Sequence, residues 1–182
     1  MVRERSRNKM NGERLTTLIF IAISMLTGSA AGFGQDTMFS DSNVAYSFGL
    51  PDRRWKMTNK PSATSPNVEY VYTDRLDGHL EVRKLSVARG VMLADAVQTE
   101  QEKLQFKMGF VAGKEENFQG RFRGSVYNFE YVNAGRSMSG RYYFLRPNET
   151  TIYVLRFSGS KDSLRSIRSQ TDSIARTFDV KD

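Results

Sequence analysis

The sequence predicts an α+β domain, a central antiparallel sheet of about six or seven strands flanked by helices, preceded by a removable leader. Three observations carry this. Short segments rich in aromatic and β-branched residues alternate with turn signals, two longer segments switch to helical period, and the first 31 residues follow the order of a secretory signal.

The leader opens with Arg3, Arg5, Arg7, Lys9 and Arg14. From Leu15 to Leu26 it runs apolar, too short for the roughly 20 residues a bilayer span needs. Ser29 and Ala31 then fit the small-residue positions of a cleavage site, so cleavage after Ala31 is expected. The organisation follows: a signal peptide over 1–31, a flexible spacer over 32–42 and one domain over 43–182, with no transmembrane segment in the mature chain. The leader carries five Lys or Arg against two Glu, +3 of the chain's formal +7. The remaining +4 lacks the clustered basic footprint of a nucleic-acid binder, so nucleic acid is not an expected partner. With no Cys, the chain has neither disulfides nor thiolate metal sites, nor a lipid-modified Cys after the leader. A domain of about 145 residues buries roughly 68–70% of its unfolded surface and needs no covalent staple.

The segment from Val44 to Leu50 alternates and ends at Pro51, which predicts a first strand, with Trp55 on a short extended piece after the turn. Residues 59–67 hold two prolines among Ser, Thr and Asn and read as a surface loop. Strands over Val68–Thr73 and Leu80–Val87 are expected to pair across a hairpin at Asp77-Gly78. From Met92 to Met108 the period becomes helical: Leu93, Val97, Leu104 and Met108 fall within about 60° on a wheel of 100° per residue, and Gly109 ends the run. Phe110-Val111, the Phe118 region, Phe122–Val132, Arg141–Arg146 and Thr151–Phe157 supply further strands, with a turn at Pro147-Asn148-Glu149. A single final helix is expected over Lys161–Phe178, capped by Ser160. Its residues Leu164, Ile167, Thr171, Ile174, Ala175 and Phe178 lie within an arc of about 100°, so that face belongs on the sheet. Arg165, Arg168, Asp172 and Arg176 share the flank, with Asp172 spaced to pair with Arg168 or Arg176 at i,i+4 in solvent.

The run Tyr46-Ser47-Phe48-Gly49-Leu50-Pro51 followed by Trp55 resembles the opening of PsbP-like domains. Tyr127–Tyr131, Tyr142-Tyr143-Phe144, Thr151–Phe157 and Asp172–Phe178 are similar to that family's last strands and terminal helix. The resemblance spans about 44–180 and implies the α/β/α sandwich shared by PsbP-like and Mog1-like proteins. PsbP proteins are extrinsic subunits of the oxygen-evolving complex and Mog1 proteins bind a small GTPase, so it implies action by docking. It carries over no functional residue.

Chemistry is sparse. His79 is the only histidine and is expected in the exposed hairpin turn, which leaves a hydrolase only if His79 meets a carboxylate and a nucleophile. No G-x-S-x-G elbow or phosphate-binding glycine loop occurs. Glu115 and Glu116, the one adjacent acid pair, read as a solvated loop. Asp74, Asp77 and Glu81 form at best a weak calcium cluster. Neither a cofactor nor a metal is expected. Glu100 breaks the local rule, since it falls about 20° from Leu93 inside the apolar arc. A carboxylate there must meet an Arg or a Tyr, be tilted into water by the helix, or serve as a pocket acid. The binding signals are Arg53, Arg54, Lys56 and Lys60 around Trp55 beside the 59–67 loop, together with Phe106 on the polar side of the first helix. The expected function is a non-enzymatic exported accessory domain, periplasmic or secreted, docking on a protein or cell-envelope component. The alternatives are a small-molecule or lipid-binding module between the first helix and the sheet, or an envelope hydrolase using His79.

Overall fold

Alternate residues of the strand segments point to opposite faces of one sheet, and each face has its own core. The structure, a computed structural model, describes residues 37–181; the leader, its cleavage site and the start of the spacer lie outside the described residues. In chain order the elements are β1 (Thr37–Ser40), β2 (Tyr46–Leu50), β3 (Trp55–Asn59), β4 (Val68–Tyr72), β5 (Asp74–Ser86), α1 (Leu93–Leu104), β6 (Val111–Gln119), β7 (Arg123–Asn133), β8 (Arg136–Asn148), β9 (Thr151–Ser160), α2 (Lys161–Ser166), α3 (Arg168–Thr177) and β10 (Asp179–Val180). Seven strands form a sheet in the order β3-β4-β5-β9-β8-β7-β6, every neighbouring pair antiparallel. A second sheet, β1-β2-β10, clips the two ends of the domain together.

One face packs α1, through Ala96, Val97 and Leu104, on Tyr127, Phe129, Tyr142, Phe144, Ile152 and Val154. The other packs α2, α3 and β2 on Tyr70, Tyr72, Leu80, Val82, Tyr143, Leu155 and Phe157. The sandwich is therefore helix, sheet, helices, with the small sheet beside α3. All six residues of the predicted final-helix arc are buried, and Thr171, Ile174 and Phe178 are wholly inaccessible. Full burial of such an apolar side chain contributes about 1.5–3 kcal/mol.

Several boundaries differ from the sequence reading. Thr37–Ser40, inside the expected spacer, is a strand because its edge pairs with β2 and Phe39 joins the core. The hairpin between β4 and β5 turns at Thr73, which adopts φ 62, and not at Asp77-Gly78. Tyr72 pairs with Asp74 but Val71 with His79, so residues 75–78 bulge out of the ladder. The bulge is held by Asp74 Oδ1, which accepts from the Leu76 and Asp77 amides at 2.7 and 2.9 Å. It also lets Gly78 pass under Ile167, where a Cβ would lie 2.7 Å from the Ile167 Cδ1 atom. The final helix is two helices, broken at Ile167 (φ −100°, ψ 15°), although Ser160 does cap the first of them, accepting from the Ser163 amide at 3.4 Å. The first helix ends at Leu104, leaving Met108 outside it and 75% exposed. Pro147 lies within β8 at a register irregularity, so the turn falls at Glu149-Thr150.

Candidate functional site

On the α2–α3 face the helices leave the β6–β7 side of the sheet open. The alternation that buries Val126 and Tyr143 also places Asn128, Glu130, Ser139 and Arg141 on this face. They floor a cleft of about 410 Å³, walled by Val111–Gly113 of β6 and by Lys161, Leu164 and Arg165 of α2. A second depression of about 380 Å³ runs between Glu116–Gln119 of β6 and Asp172 and Arg176 of α3. Arg141 and Arg168 line both.

The cleft is organised from its floor. The Arg141 side chain is only 8% exposed and donates three ways: Nη2 to Asp172 Oδ1 at 2.8 Å, Nη1 to Asn128 Oδ1 at 2.6 Å and Nε to the Tyr143 hydroxyl at 2.5 Å. Tyr143 in turn donates to Asp172, and its oxygen lies 2.9 Å from Thr171 Oγ1. Burial pushes the Tyr143 phenol well above its usual range, so it stays a neutral donor. Burial also opposes the charge on Arg141, but Tyr143 and Asp172 outweigh it and raise the guanidinium further. The rim is looser. Arg168 is 3.5 Å from Glu116 and Arg165 is 3.7 Å from Asp162, both arginine side chains more than half exposed, while Lys161 binds Glu130 at 2.7 Å. Arg176 forms no ion pair among the described residues. Exposed pairs of this length are worth about 0–1 kcal/mol, so an incoming carboxylate or phosphate can displace them. The arrangement offers guanidinium and ammonium donors suited to an anion, and among the residues lining the two depressions no hydroxyl or thiol nucleophile stands beside a histidine base.

Asp172 therefore turns inward to Arg141 rather than along the helix to Arg168 or Arg176 as its spacing implies. Sequence reasoning missed this site, although its signal was present: Arg141 shares a strand face with Tyr143 and Leu145, a cation where the pattern calls for an apolar residue.

The sequence-selected docking residues do not converge. Trp55 is a core residue, 4% exposed, its Nε1 donating to Gln170 Oε1 at 2.9 Å and its ring tilted on Tyr72. It is withdrawn from any surface patch because β3 turns this residue inward, beneath α3. Arg53, Arg54 and Lys56 are exposed around it, with Arg54 clipped 2.5 Å from Asp52 and 4.5 Å over the Tyr72 ring. Lys60 lies 3.6 Å from Asp41. Phe106 is 86% exposed, but it follows α1, the helix that packs on the opposite face of the sheet from Trp55.

Of the outcomes its position allows, Glu100 takes the one with an Arg. It is 3% exposed, accepts from Arg156 Nη2 and from Lys103 Nζ at 2.8 Å, and Arg156 also lies 3.5 Å from Glu81. Both carboxylate oxygens are thus occupied, and the adjoining gap between α1 and β5 holds only about 210 Å³. Ligand pockets run to roughly 300–1,000 Å³, so a pocket acid is not what this geometry builds.

His79 sits on β5 and not in an exposed turn, its side chain 13% exposed. Its Nε2 lies 2.8 Å from Glu69 Oε2, with Arg75 Nη2 at 3.1 Å. A histidine and a carboxylate do meet, but among the described residues no hydroxyl bonds to either, and His79 lines neither depression beside α2 and α3 nor the gap between α1 and β5. Glu115 and Glu116 lie on β6 rather than in a loop, and point apart: Glu115 accepts from Ser125 Oγ at 2.5 Å, while Glu116 faces Arg168. Asp74, Asp77 and Glu81 are absorbed by the bulge, by Ser163 and by Arg83 and Arg156, and no group of metal-ligating side chains is found among the described residues. Nor is any described helix long and apolar enough to cross a membrane.

No family model matches the chain, and no curated protein matches it in sequence. Solved structures match its fold. LpqN of Mycobacterium tuberculosis, described as involved in cell envelope biogenesis, aligns with a TM-score of 0.53 at 14% identity, over 81% of this chain and 91% of that one. Cyanobacterial PsbP from Synechocystis aligns with a TM-score of 0.51 at 20% identity, over 85% and 98%. A structure from Bacteroides thetaiotaomicron aligns with a TM-score of 0.55 at 11% identity, over 81% of this chain and 49% of that one.

Proposed function

We propose, from the PsbP-like fold the chain shares with these proteins, that it is a non-enzymatic exported accessory domain docking on an acidic segment of a cell-envelope protein. The docking surface is the cleft beside α2 and α3. One observation carries this reading: the fixed guanidinium of Arg141 in a floor that no helix covers, ringed by the exposed cations Arg165, Arg168 and Arg176. A floor locked before the ligand arrives lowers the ordering cost of binding, and the rim arginines supply bidentate donors for carboxylates. The envelope role described for LpqN supports the location, and the leader supports export.

The test is site-specific photocrosslinking in intact cells from Ser139, on the cleft floor. A discrete adduct with one envelope protein is expected, lost when Arg165 and Arg168 are both replaced by Glu. An adduct that survives the double charge reversal, or no adduct at all, overturns the reading.

A further inference from the structure

One end of the domain carries an unpartnered apolar tip. The connection from α1 to β6 exposes Phe106 by 86%, Met108 by 75% and Val111 by 58%. The loop is tied to the sheet edge, because the Met108 carbonyl accepts from the Val132 amide at 2.8 Å. Gly109, at φ 60, lets it turn back towards β6. The neighbouring β7–β8 turn, Ala134-Gly135, places the exposed Arg136 at the same end. Lys107 lies 4.5 Å over the Tyr131 ring, and Lys114 follows on β6. Lys107, Lys114 and Arg136 form no ion pair among the described residues, whereas of the acids nearby Glu130 is taken by Lys161, Glu116 by Arg168 and Glu115 by Ser125, leaving Glu102 exposed on α1.

We propose that this end is a membrane-contacting tip that seats on an anionic lipid surface, with Phe106 and Met108 entering the interface and Lys107, Lys114 and Arg136 on the headgroups. Side chains this exposed project from the body. A stable protein interface buries about 800 Å² on each side, more than three apolar side chains supply. Shallow insertion of a few apolar groups beside unpaired cations is instead what an anionic bilayer accepts. Charge complementarity thus selects the occupant; the tip adjoins the cleft at Val111, but Phe106, Met108, Lys107, Lys114 and Arg136 line neither depression.

The experiment is vesicle sedimentation with the chain from residue 32 onward, which keeps every described strand and helix and leaves out the apolar leader, a lipid-binding sequence in its own right. Binding to phosphatidylglycerol-containing vesicles, but not to pure phosphatidylcholine, is expected at low salt. Replacing Phe106 and Met108 together by Ser is expected to lower the partition coefficient by about 30-fold or more. Each of Lys107→Gln, Lys114→Gln and Arg136→Gln is expected to cost about fivefold. Because these side chains are exposed, the variants keep the wild-type melting temperature and the cleft crosslink, so the two proposals fail separately. Equal binding to both vesicle types, no binding to either, or undiminished binding by the Phe106/Met108 variant overturns the proposal.

Discussion

The Glu100–Arg156 pair makes opposite predictions for its two members. Glu100 is 4% exposed at its side chain, Arg156 15% and Glu81 16%, whereas Lys103 is 63% exposed. Arg156→Leu leaves two acids on the α1 face with only Lys103 and Arg83 reaching them from solvent. Removing one member of a buried pair costs about 3–5 kcal/mol, and the surviving Lys103 contact places this case near about 3 kcal/mol. Glu100→Leu strands nothing: Arg156 keeps Glu81, and the leucine extends the apolar set of Ala96, Val97 and Leu104. That substitution is expected to stay within about 1 kcal/mol of wild type, as is the double replacement, so the second change rescues most of the first. Urea unfolding followed by Trp55 fluorescence reads all four proteins, because this single tryptophan is buried. The same difference appears as a fall of about 10 °C in melting temperature for Arg156→Leu alone. Equal losses from the two single substitutions would refute the reasoning, since the asymmetry follows only from an uncompensated buried charge. A loss of the Ser139 crosslink in Glu100→Leu would show that Glu100 contributes to docking after all.

Two further outcomes follow from burial. Trp55→Phe gives up the bond to Gln170 and part of the ring, and is expected to cost about 1–2 kcal/mol by circular dichroism in urea while leaving the cleft crosslink intact; a lost crosslink at unchanged stability would return Trp55 to the docking surface. Tyr70 and Tyr142 are both pushed up to about 12 by burial, and Tyr46 and Tyr143 are raised further by the same cause. The folded state thus holds these protons more tightly than the unfolded chain, whose tyrosines titrate near about 10. Their contribution is complete below about pH 10 and falls as pH rises towards 12, by about 1.4 kcal/mol per pH unit for each tyrosine. A urea midpoint unchanged between pH 9 and pH 11 would contradict this.

What was legible in the sequence had a local cause. The arc from Leu164 to Phe178 specifies its buried face through helical period alone, and it survives the break at Ile167 because the next turn continues the same rotation. Glu100 was legible as a violation of that period, and electrostatics required a partner or water for it without deciding between an Arg, a Tyr and solvent. The features that misled depend on distant partners. Asp77-Gly78 has hairpin chemistry, but Thr73 turns the chain four residues earlier because Gly78 is needed under Ile167. Trp55 stands at a strand start, where a one-residue change of register exchanges core for surface. Asp172 has two arginines at helical spacing, yet takes its partner from β8, 31 residues away in sequence.

Glu100 and Arg141 carry the same signal, a charge on an apolar face, and what surrounds them separates structure from binding. Glu100 lies beneath α1 with both oxygens engaged, so its network ends within the protein. Arg141 lies where the helical cover stops. Its guanidinium has five N–H groups and three are engaged from one side each, by Asp172, Asn128 and Tyr143. Two donors therefore remain on a side chain already fixed in place, at the floor of an open cleft. Arg165 and Arg168 have weaker partners and more freedom, so in the proposed docking they would meet a ligand first and Arg141 would set its final position. On that order, charge reversal at the rim is expected to change encounter rate and salt dependence, and Arg141→Gln to shorten residence time, as read by binding kinetics at two salt concentrations.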